Sequence, residues 1–491
     1  MVIFATTSLY NQIRYSHIMN RIILSLLFIA AFSHITYSQN LSEPSVILSK
    51  MVLANQYFMN KWPDPGANIV TDKIRPSNLW TRATYYEGLM GLYTVSHDKT
   101  YYQYAVDWAM SHDWNPTYGV LTTRDGDHQC CGQTYIELYL LNPSPEKIAP
   151  ITANIDNMVN SSKSDDWSWV DAMHMSMPVF AKLGVVHNDK KYFDKMYDLY
   201  NYTKTKHGTN GLYNPVAGLW WRDKDFDPPY TTPKGKSCYW SRGNGWVYSA
   251  LVRVLDVIPH TEAHYQEYLD NFKEMSAALI KCQRADGFWN PSMVDPDDYG
   301  GKETSGTGFF VYGLAWGINT GILEREIYLP AVIKGWNGLQ NDALHDSGFL
   351  GWVQGTGKQP SDGQPLSYNK VPNFEDFGLG AFLLAGSETY KLATILTAST
   401  TIPINNSSSR IFVSKENGGD GYIVHLSMKQ DANVTLKLID INGLVIKQLG
   451  ANKRFLIGDY QYSLQTVGVK AGVYFIRTEI DRKIIYIKVL I

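Results

Sequence analysis

The chain has 491 residues, which is long for a single core and predicts a large domain together with a smaller one. Hydrophobic residues make up 44% of the sequence and charged residues 18%, and the formal net charge is -2. This balance excludes the strongly basic surface that binding to nucleic acid requires. Aromatic residues are abundant, with 14 Trp and 33 Tyr, which suits either stacking on sugars or a large aromatic core.

An export signal is predicted within residues 1–38. Met19, Asn20 and Arg21 precede an apolar run over residues 22–32, and residues 36–38 suit cleavage before Gln39. The apolar run is too short to span a bilayer, so no transmembrane segment is predicted. We expect the mature protein to be secreted or held at the cell surface, with the periplasm as the alternative.

The cysteines match neither a disulfide framework nor a metal site. Their spacing lacks the paired Cys and His pattern of zinc ligands, and four cysteines are too few for a chain of this length to be disulfide-stabilised. Buried free thiols are the expected state of Cys130, Cys131, Cys238 and Cys282.

Residues 39–397 are predicted to form an all-α domain in which two kinds of helix alternate. A helix with one polar face belongs on the outside, whereas a helix that is apolar nearly all round belongs inside. Outer helices are predicted at 45–62, 99–113, 145–161, 190–206, 263–285 and 324–341. Inner helices are predicted at 80–93, 131–141, 169–183, 242–257, 305–320 and 374–392. Six alternating pairs describe an (α/α) toroid.

Each predicted inner helix begins with a compact polar motif. These motifs lie at residues 80–82, 127–133, 169–171, 240–246, 303–307 and 374–376. Because the inner helices of a toroid run parallel, their N-termini meet at one mouth. The N–H groups and positive helix ends that converge there suit an anionic ligand.

Asp171 is the candidate general acid. It lies at an inner-helix start among Trp167, Trp169 and Val170, which would partly desolvate its carboxyl group. Desolvation favours the protonated form that a proton donor needs near neutral pH. The alternative is an ordinary N-cap aspartate. Asp127 is a second carboxylate that could bind sugar hydroxyls or perturb its neighbour, and a carboxylate pair is also what an ordinary glycosidase uses.

Arg242, between Trp240 and Trp246, is the candidate contact for a sugar carboxylate. Arginine stays charged and makes paired hydrogen bonds to carboxylates, while tryptophan faces stack on sugars. The alternative is a packed helix start with an exposed arginine. Further substrate contacts are predicted at His128, Trp80, Tyr85, Trp221 and Arg222.

The composition changes near residue 397. Residues 398–410 are rich in Ser, Thr, Asn and Pro and are predicted to be a linker, and residues 411–491 alternate apolar and polar residues as in a small β sandwich. The segments 438–443, 472–476 and 483–491 resemble the C-terminal sorting domain of the type IX secretion system. A carbohydrate-binding β module is the alternative.

Together the helical motifs resemble those of glycoside hydrolase families 88 and 105, the unsaturated uronyl hydrolases. The resemblance covers residues 45–392. It rests on Trp-Val-Asp-Ala-Met-His-Met at 169–175, Arg-Gly-Asn-Gly-Trp at 242–246, Glu-Thr-Ser-Gly-Thr-Gly at 303–308 and Asp-His-x-x-x-Gly-Gln-Thr-Tyr at 127–135. It implies an (α/α)6 barrel with no metal and no organic cofactor.

The resemblance also implies roles for individual residues. Asp171 matches the catalytic acid/base and Asp127 its supporting aspartate, while Arg242, Trp240 and Trp246 match residues that hold the uronate. Members of these families act on a terminal uronic acid that a lyase has left with a C4=C5 double bond. Protonation at C4 and addition of water at C5 give a hemiketal, which opens and releases the neighbouring sugar.

The expected substrate is an unsaturated uronyl-rhamnose from rhamnogalacturonan or from the algal polysaccharide ulvan, with glycosaminoglycan disaccharides third. Some members place a histidine near the position of Trp220 and Trp221, where this chain continues with Arg222, so fine specificity stays open. Three rival functions also remain: an inverting glycosidase on the same barrel, a polysaccharide lyase and a non-catalytic sugar-binding protein of the cell surface.

Overall fold

The computed structural model describes residues 41–491 apart from 72, 371–375, 400–409, 416–420, 429, 471 and 481–482. The predicted N-terminal extension and signal peptide at 1–38 lie outside the described residues. So do most of the predicted linker and the start of the last inner-helix motif, residues 374 and 375.

Twelve long helices in the described part of the chain confirm the predicted alternation. The outer set comprises Pro44–Lys61, Lys99–Ser111, Ala149–Val159, Lys191–Thr205, Tyr265–Cys282 and Arg325–Gly338. The inner set comprises Trp80–Ser96, Gly132–Leu141, Asp171–His187, Ser241–Leu255, Thr304–Asn319 and Asp376–Ser399. A four-residue helix, Gly126–Gln129, precedes the second inner helix.

Burial separates the two sets as the sequence pattern predicts. The inner helix Thr304–Asn319 is buried on every side from Thr304 to Ile318. The outer helix Lys191–Thr205 instead buries a stripe that includes Tyr192, Met196 and Leu199, spaced so that they share one face. The inner helices therefore form the core, and the outer helices cover it.

The inner helices pack side by side in chain order, and the last also packs against the first. This last contact is very close, because a Cβ atom added at Gly88 would lie 2.5 Å from the backbone oxygen of Gly380. Glycine is thus required where Trp80–Ser96 meets Asp376–Ser399. The ring of contacts brings the starts of the inner helices to one end of the domain.

The C-terminal region is made of antiparallel strands in two sheets. One sheet has the order Lys483–Leu490, Val473–Ile480, Ala432–Asp440 and Val445–Phe455, and the other Arg410–Lys415, Gly421–Met428 and Gly458–Gln465. Side chains from both sheets, such as Val424, Leu438 and Ile476, share one apolar core. The helical region also carries two short hairpins, Ile69–Val70 with Ile74–Arg75 and Tyr213–Asn214 with Leu219–Trp220.

The last inner helix contacts the strand region directly, since Ile395 packs with Ile439 and Phe475. All four cysteines are unpaired, as expected, and three of them are buried. Within residues that the structure describes, no helix has the length and apolar character needed to cross a membrane.

Candidate active site

Asp171 is the first residue of its inner helix and is nearly buried, with 8% of its surface exposed. Val170 occupies the N-cap position, so the alternative of an N-cap aspartate is wrong. One carboxylate oxygen, Oδ2, accepts a hydrogen bond of 3.2 Å from Nη2 of Arg222. The other oxygen, Oδ1, has no hydrogen-bond partner among the described residues. Asp171 therefore has one oxygen anchored by a cation and one oxygen unengaged.

Arg222 is fixed beside Asp171 by backbone pairing as well as by charge. Its carbonyl oxygen accepts a hydrogen bond of 2.9 Å from the backbone N–H of Val170. Its Nη1 donates to Oδ2 of Asp223 at 2.6 Å. Burial lowers the pKa of Arg222, but Asp171 and Asp223 outweigh burial and raise the pKa above its ordinary value. Arg222 is therefore a permanent cation shared by two carboxylates.

Asp127 reaches the same place from the short helix Gly126–Gln129. That helix lies against the start of the Asp171 helix, because a Cβ atom on Gly126 would be 3.2 Å from the Cα atom of Ala172. The backbone N–H of Asp127 donates to Oδ1 of Asp125 at 3.0 Å. The structure thus brings together the two carboxylates that the sequence singled out.

The surroundings of Asp127 favour its protonated form. Burial raises the pKa of Asp127 most, the negative charges of Asp125 and Asp171 raise it further, and Arg222 only partly opposes them. The resulting pKa is about 8, against an ordinary value of 3.8. Asp127 is therefore held in its protonated form at neutral pH.

Arg242 is fully buried in the first turn of Ser241–Leu255. Its Nη1 and Nη2 donate to the backbone oxygens of Gln354 and Gly355 at 2.8 and 2.7 Å. Its guanidinium lies 4.5 Å from the ring centre of Trp240 and 4.8 Å from that of Phe377. Burial lowers the pKa of Arg242 to about 10 against the opposing charges of Glu303 and Asp171, so it is charged at neutral pH. The predicted alternative of an exposed arginine is wrong.

Three of the four predicted tryptophans, Trp80, Trp240 and Trp246, lie at the starts of two inner helices. Trp240 is 1% exposed, and its Nε1 donates to Oε1 of Gln354 at 2.8 Å. Trp246 is buried edge-on to Trp80, with 6.0 Å between the ring centres. Trp80 is the only one of the three that is half-buried. Trp80 is thus placed to offer a ring face, while the two others support the wall behind it.

His128 follows Asp127 in the short helix Gly126–Gln129, and Trp221 precedes Arg222 in a loop. The Nδ1 atom of His128 is 3.0 Å from Oγ1 of Thr123, and its ring is edge-on to that of Tyr118 at 5.1 Å. Tyr118 is 62% exposed and has a left-handed backbone, with φ of 64°. Trp221 precedes Arg222 and packs on Tyr239 at 5.7 Å.

Tyr85 does not join the other predicted site residues. It is fully buried, its ring stacks on Phe58 at 3.7 Å and its hydroxyl donates to Asn55 at 2.8 Å. Both partners belong to the outer helix Pro44–Lys61. Tyr85 follows Trp80 by five residues, which turns it by about 140° around the helix. The prediction that it contacts substrate conflicts with this placement.

A buried group of polar and charged side chains lies within the helix ring and joins several inner helices. Nε2 of His174 is 3.0 Å from Oε2 of Glu87, and Nε of Arg253 is 3.5 Å from the same oxygen. Arg253 also binds Glu137 at 2.7 Å and Oε1 of Gln133 at 2.6 Å. His174 is one turn along the helix from Asp171 and packs on Trp246 at 4.7 Å. The group therefore fixes the helix starts that carry the site.

Sequence reasoning did not select Asp223, Gln354 or Phe377 as site residues. Asp223 directly follows the Trp-Trp-Arg motif, and its position next to that motif is the only feature of the sequence that points to it. Gln354 lies in an irregular segment that no periodicity marks, although it holds both Trp240 and Arg242. Phe377 was hidden within an apolar inner helix, where most aromatic residues are core.

Comparison with known proteins agrees with this architecture. Residues 50–393 match Glycosyl Hydrolase Family 88. A relative from Formosa agariphila, an unsaturated 3S-rhamnoglycuronyl hydrolase, is 33% identical over 331 residues, which is 64% of this chain and 84% of the relative.

Two solved structures are also similar. A family 88 glycosyl hydrolase from Bacteroides vulgatus is 33% identical with a TM-score of 0.65, covering 72% of this chain and all of that one. A protein named as a polysaccharide lyase is 32% identical with a TM-score of 0.64, and the match covers 71% of this chain and 97% of that one.

The helical ring, taken with the family match over most of the chain, is that of a glycoside hydrolase. The chain belongs to glycosyl hydrolase family 88. Its activity is the removal of an unsaturated uronic acid from oligosaccharides, as the sequence motifs indicated.

Proposed function

We propose that Asp171 is the acid/base of this reaction and that the substrate is an unsaturated uronyl-rhamnose oligosaccharide. The observation that carries the proposal is the position of Asp171, nearly buried at an inner-helix start with one oxygen anchored and the other unengaged. The ring of inner helices is the (α/α)6 barrel of family 105 type that the motifs implied, and the two C-terminal sheets form a sandwich.

The reaction needs one proton donor and a way to orient an anionic sugar. Asp171 protonates C4 of the double bond, positive charge develops at C5 and the ring oxygen, and water adds at C5 while Asp171 takes up a proton. The hemiketal then opens and releases the neighbouring sugar. A positioned acid/base contributes about 10²–10⁴-fold, and orientation of the bound sugar supplies much of the rest.

The chain's cations and aromatic rings suit the uronate. Arg222 lies at the carboxylate pair, and Arg242 keeps a buried positive charge behind it. Asp127 supports Asp171, while Trp80, His128 and Trp221 bound the sugar site and Trp240 and Trp246 pack behind it. The name of the relative from Formosa agariphila supports a rhamnoglycuronyl substrate, so we favour glucuronyl-rhamnose over galacturonyl-rhamnose.

The test is loss of the ultraviolet absorbance of the double bond when the full chain is mixed with lyase-generated oligosaccharides from ulvan and from pectin. We expect loss of absorbance with ulvan fragments, and less with pectin fragments. Asp171→Asn should lower kcat by about 10²-fold or more while the variant still binds the sugar. A gain of absorbance from intact polysaccharide would instead establish the polysaccharide lyase, and cleavage of saturated glycosides the inverting glycosidase.

We also propose that the protein is exported through the signal peptide within residues 1–38 and reaches the cell surface through residues 411–491, acting as a type IX sorting domain. Support comes from the sequence motifs. Cell fractionation of the producing bacterium with and without residues 411–491 tests it. Equal surface location of both forms would contradict the sorting role.

A further inference from the structure

An exposed aromatic side chain lies beside the short helix that carries Asp127. Tyr118 is 62% exposed, and its ring is edge-on to that of His128, with 5.1 Å between the ring centres. His128 directly follows Asp127, and the short helix packs against the start of the Asp171 helix. Tyr118 therefore presents an open ring close to the candidate catalytic residues, although no sequence motif marks it.

The loop that carries Tyr118 is fixed to the start of the first inner helix. Thr117 is buried, and its Oγ1 donates to the backbone oxygen of Asn78 at 2.8 Å. Nδ2 of Asn78 in turn donates to the backbone oxygen of Asn115 at 3.2 Å. Asn78 lies two residues before Trp80, the half-buried tryptophan of the site. These bonds hold Tyr118 on the same rim of the helix ring as Trp80.

The backbone at Tyr118 is left-handed, with φ of 64° and ψ of 6°. This conformation strains a residue that has a Cβ atom, and glycine adopts it far more readily. Because most of the Tyr118 side chain is in solvent, packing of the fold does not account for an aromatic residue there. Strained backbone is typical of binding and catalytic sites. The conformation therefore indicates that the ring of Tyr118 serves binding.

We propose that Tyr118 is a specificity-determining residue that stacks on the sugar next to the unsaturated uronic acid, the sugar that the reaction releases. The inference rests on the proposed function. Because a terminal uronic acid occupies the site at Asp171, the neighbouring sugar extends toward solvent, where Tyr118 lies. Aromatic rings offer a large apolar surface to the C–H face of a sugar. Rhamnose has a methyl group in place of a hydroxymethyl group, so it gives that ring more apolar surface than a hexose does.

The contact with His128 gives the ring of Tyr118 a defined direction. The two ring planes meet at 80°, which is a favourable edge-to-face arrangement. Nδ1 of His128 is itself 3.0 Å from Oγ1 of Thr123. A ring that is already oriented loses less conformational freedom when a sugar binds. Since the contact does not involve the reacting carbons, it is equal before and during the chemical step and acts on KM rather than on kcat.

Kinetics of the full chain on two substrates test the inference. One substrate is the unsaturated uronyl-rhamnose, and the other is the methyl glycoside of the same unsaturated uronic acid, which has no neighbouring sugar. We expect Tyr118→Ala to raise KM for uronyl-rhamnose by about 10-fold with kcat within about twofold. The same variant should leave both constants for the methyl glycoside unchanged. Tyr118→Phe keeps the ring and should restore the KM of the unaltered protein.

Tyr486→Ala is the matched control, since Tyr486 is 39% exposed in the C-terminal strand Lys483–Leu490. It should leave KM and kcat unchanged on both substrates. An equal rise of KM on both substrates in Tyr118→Ala, or no rise on either, overturns the inference and leaves the proposed function intact. Absence of turnover by the unaltered protein on both substrates would instead contradict the proposed function, and the inference would fall with it.

Tyr118→Gly separates binding from folding. Glycine adopts the left-handed backbone without strain, so this variant should unfold at a higher temperature than Tyr118→Ala. It lacks the ring, so it should share the raised KM of Tyr118→Ala for uronyl-rhamnose. If Tyr118→Gly kept the KM of the unaltered protein, the ring would not contact the neighbouring sugar and the inference would be wrong.

Discussion

Two aspartates that lie near each other in this site have different neighbours. Asp171 has the guanidinium of Arg222 at 3.2 Å, whereas Asp127 is half-buried and faces the negative charges of Asp125 and Asp171. Different environments are the usual way in which one pair of carboxyl groups comes to serve as acid and base. The arrangement has a cost in stability, because Asp127 resists the ionisation that it would undergo in the unfolded chain.

The first prediction concerns Asp127→Asn and the pH dependence of stability. The pKa of Asp127 rises from 3.8 to about 8 on folding, so the folded protein loses stability as pH increases between those values. The variant does not ionise at this position. We expect it to match the unaltered protein in thermal unfolding near pH 4 and to exceed it at pH 9, although it loses activity.

Asp165→Asn provides the control, since Asp165 is half exposed and pairs with Lys163 at the surface. Its thermal unfolding should track that of the unaltered protein at both pH values. If Asp127→Asn proves less stable than the unaltered protein at pH 9, Asp127 is ionised in the fold, and its pKa is not raised.

At the scale of helices, charged side chains lie inside the ring of inner helices as well as at its mouth. Glu87, Arg253 and Glu137 come from three different inner helices and meet in buried ion pairs, and His174 from a fourth lies 3.0 Å from Glu87. Buried pairs seldom raise stability above that of an apolar core, but loss of one partner leaves a buried charge uncompensated. They therefore fix the relative positions of helices whose starts carry the site.

The second prediction is that Glu87→Gln destabilises the protein by about 3–5 kcal/mol, because it leaves His174 and Arg253 without a carboxylate that both approach. Burial raises the pKa of Glu87, but His174 and Arg253 outweigh burial and lower the pKa below its ordinary 4.5. The stabilisation is thus present above that pH and is lost on acidification. Urea unfolding at pH 7 and pH 4 should show a smaller effect of the substitution at pH 4.

Glu326→Gln is the control for that measurement, because Glu326 is exposed at the surface beside Arg325. It should not change the urea midpoint at either pH. An equal effect of Glu87→Gln at both pH values would show that packing, and not charge, accounts for the loss.

The helices were predictable from sequence because their burial is regular. Twelve segments follow a 3.6-residue period, with either a single apolar face or no polar face. The structure confirms each of these segments as a helix. The direction of an individual side chain is a different matter. Tyr85 shares a motif with Trp80 but points to the outer helix, and Gln354 holds Arg242 from a segment that has no period. Local sequence does not encode such contacts between distant segments.

At the scale of the whole molecule, every residue placed in the site lies between Trp80 and Phe377. The strands of the C-terminal sheets begin at Arg410, and the helical region meets them through Ile395, which packs on Ile439 and Phe475. His97 adds a contact of 3.2 Å to the backbone oxygen of Asn442. The strand region thus touches the far end of the last inner helix, one full helix length from the mouth.

The third prediction follows from this separation. A chain ending at Ser399 should keep kcat/KM within about twofold of the full chain, because the carboxylates and arginines of the site lie on other elements. Its thermal stability should fall modestly, since exposing the Ile395 side chain costs about 1.5–3 kcal/mol. Ile395→Ser removes this exposed apolar side chain, so in the shortened chain it should raise solubility without altering kcat/KM. If the shortened chain keeps its helical circular dichroism but loses turnover, the strand region shapes the site, and the division of the molecule into a catalytic part and a sorting part is wrong.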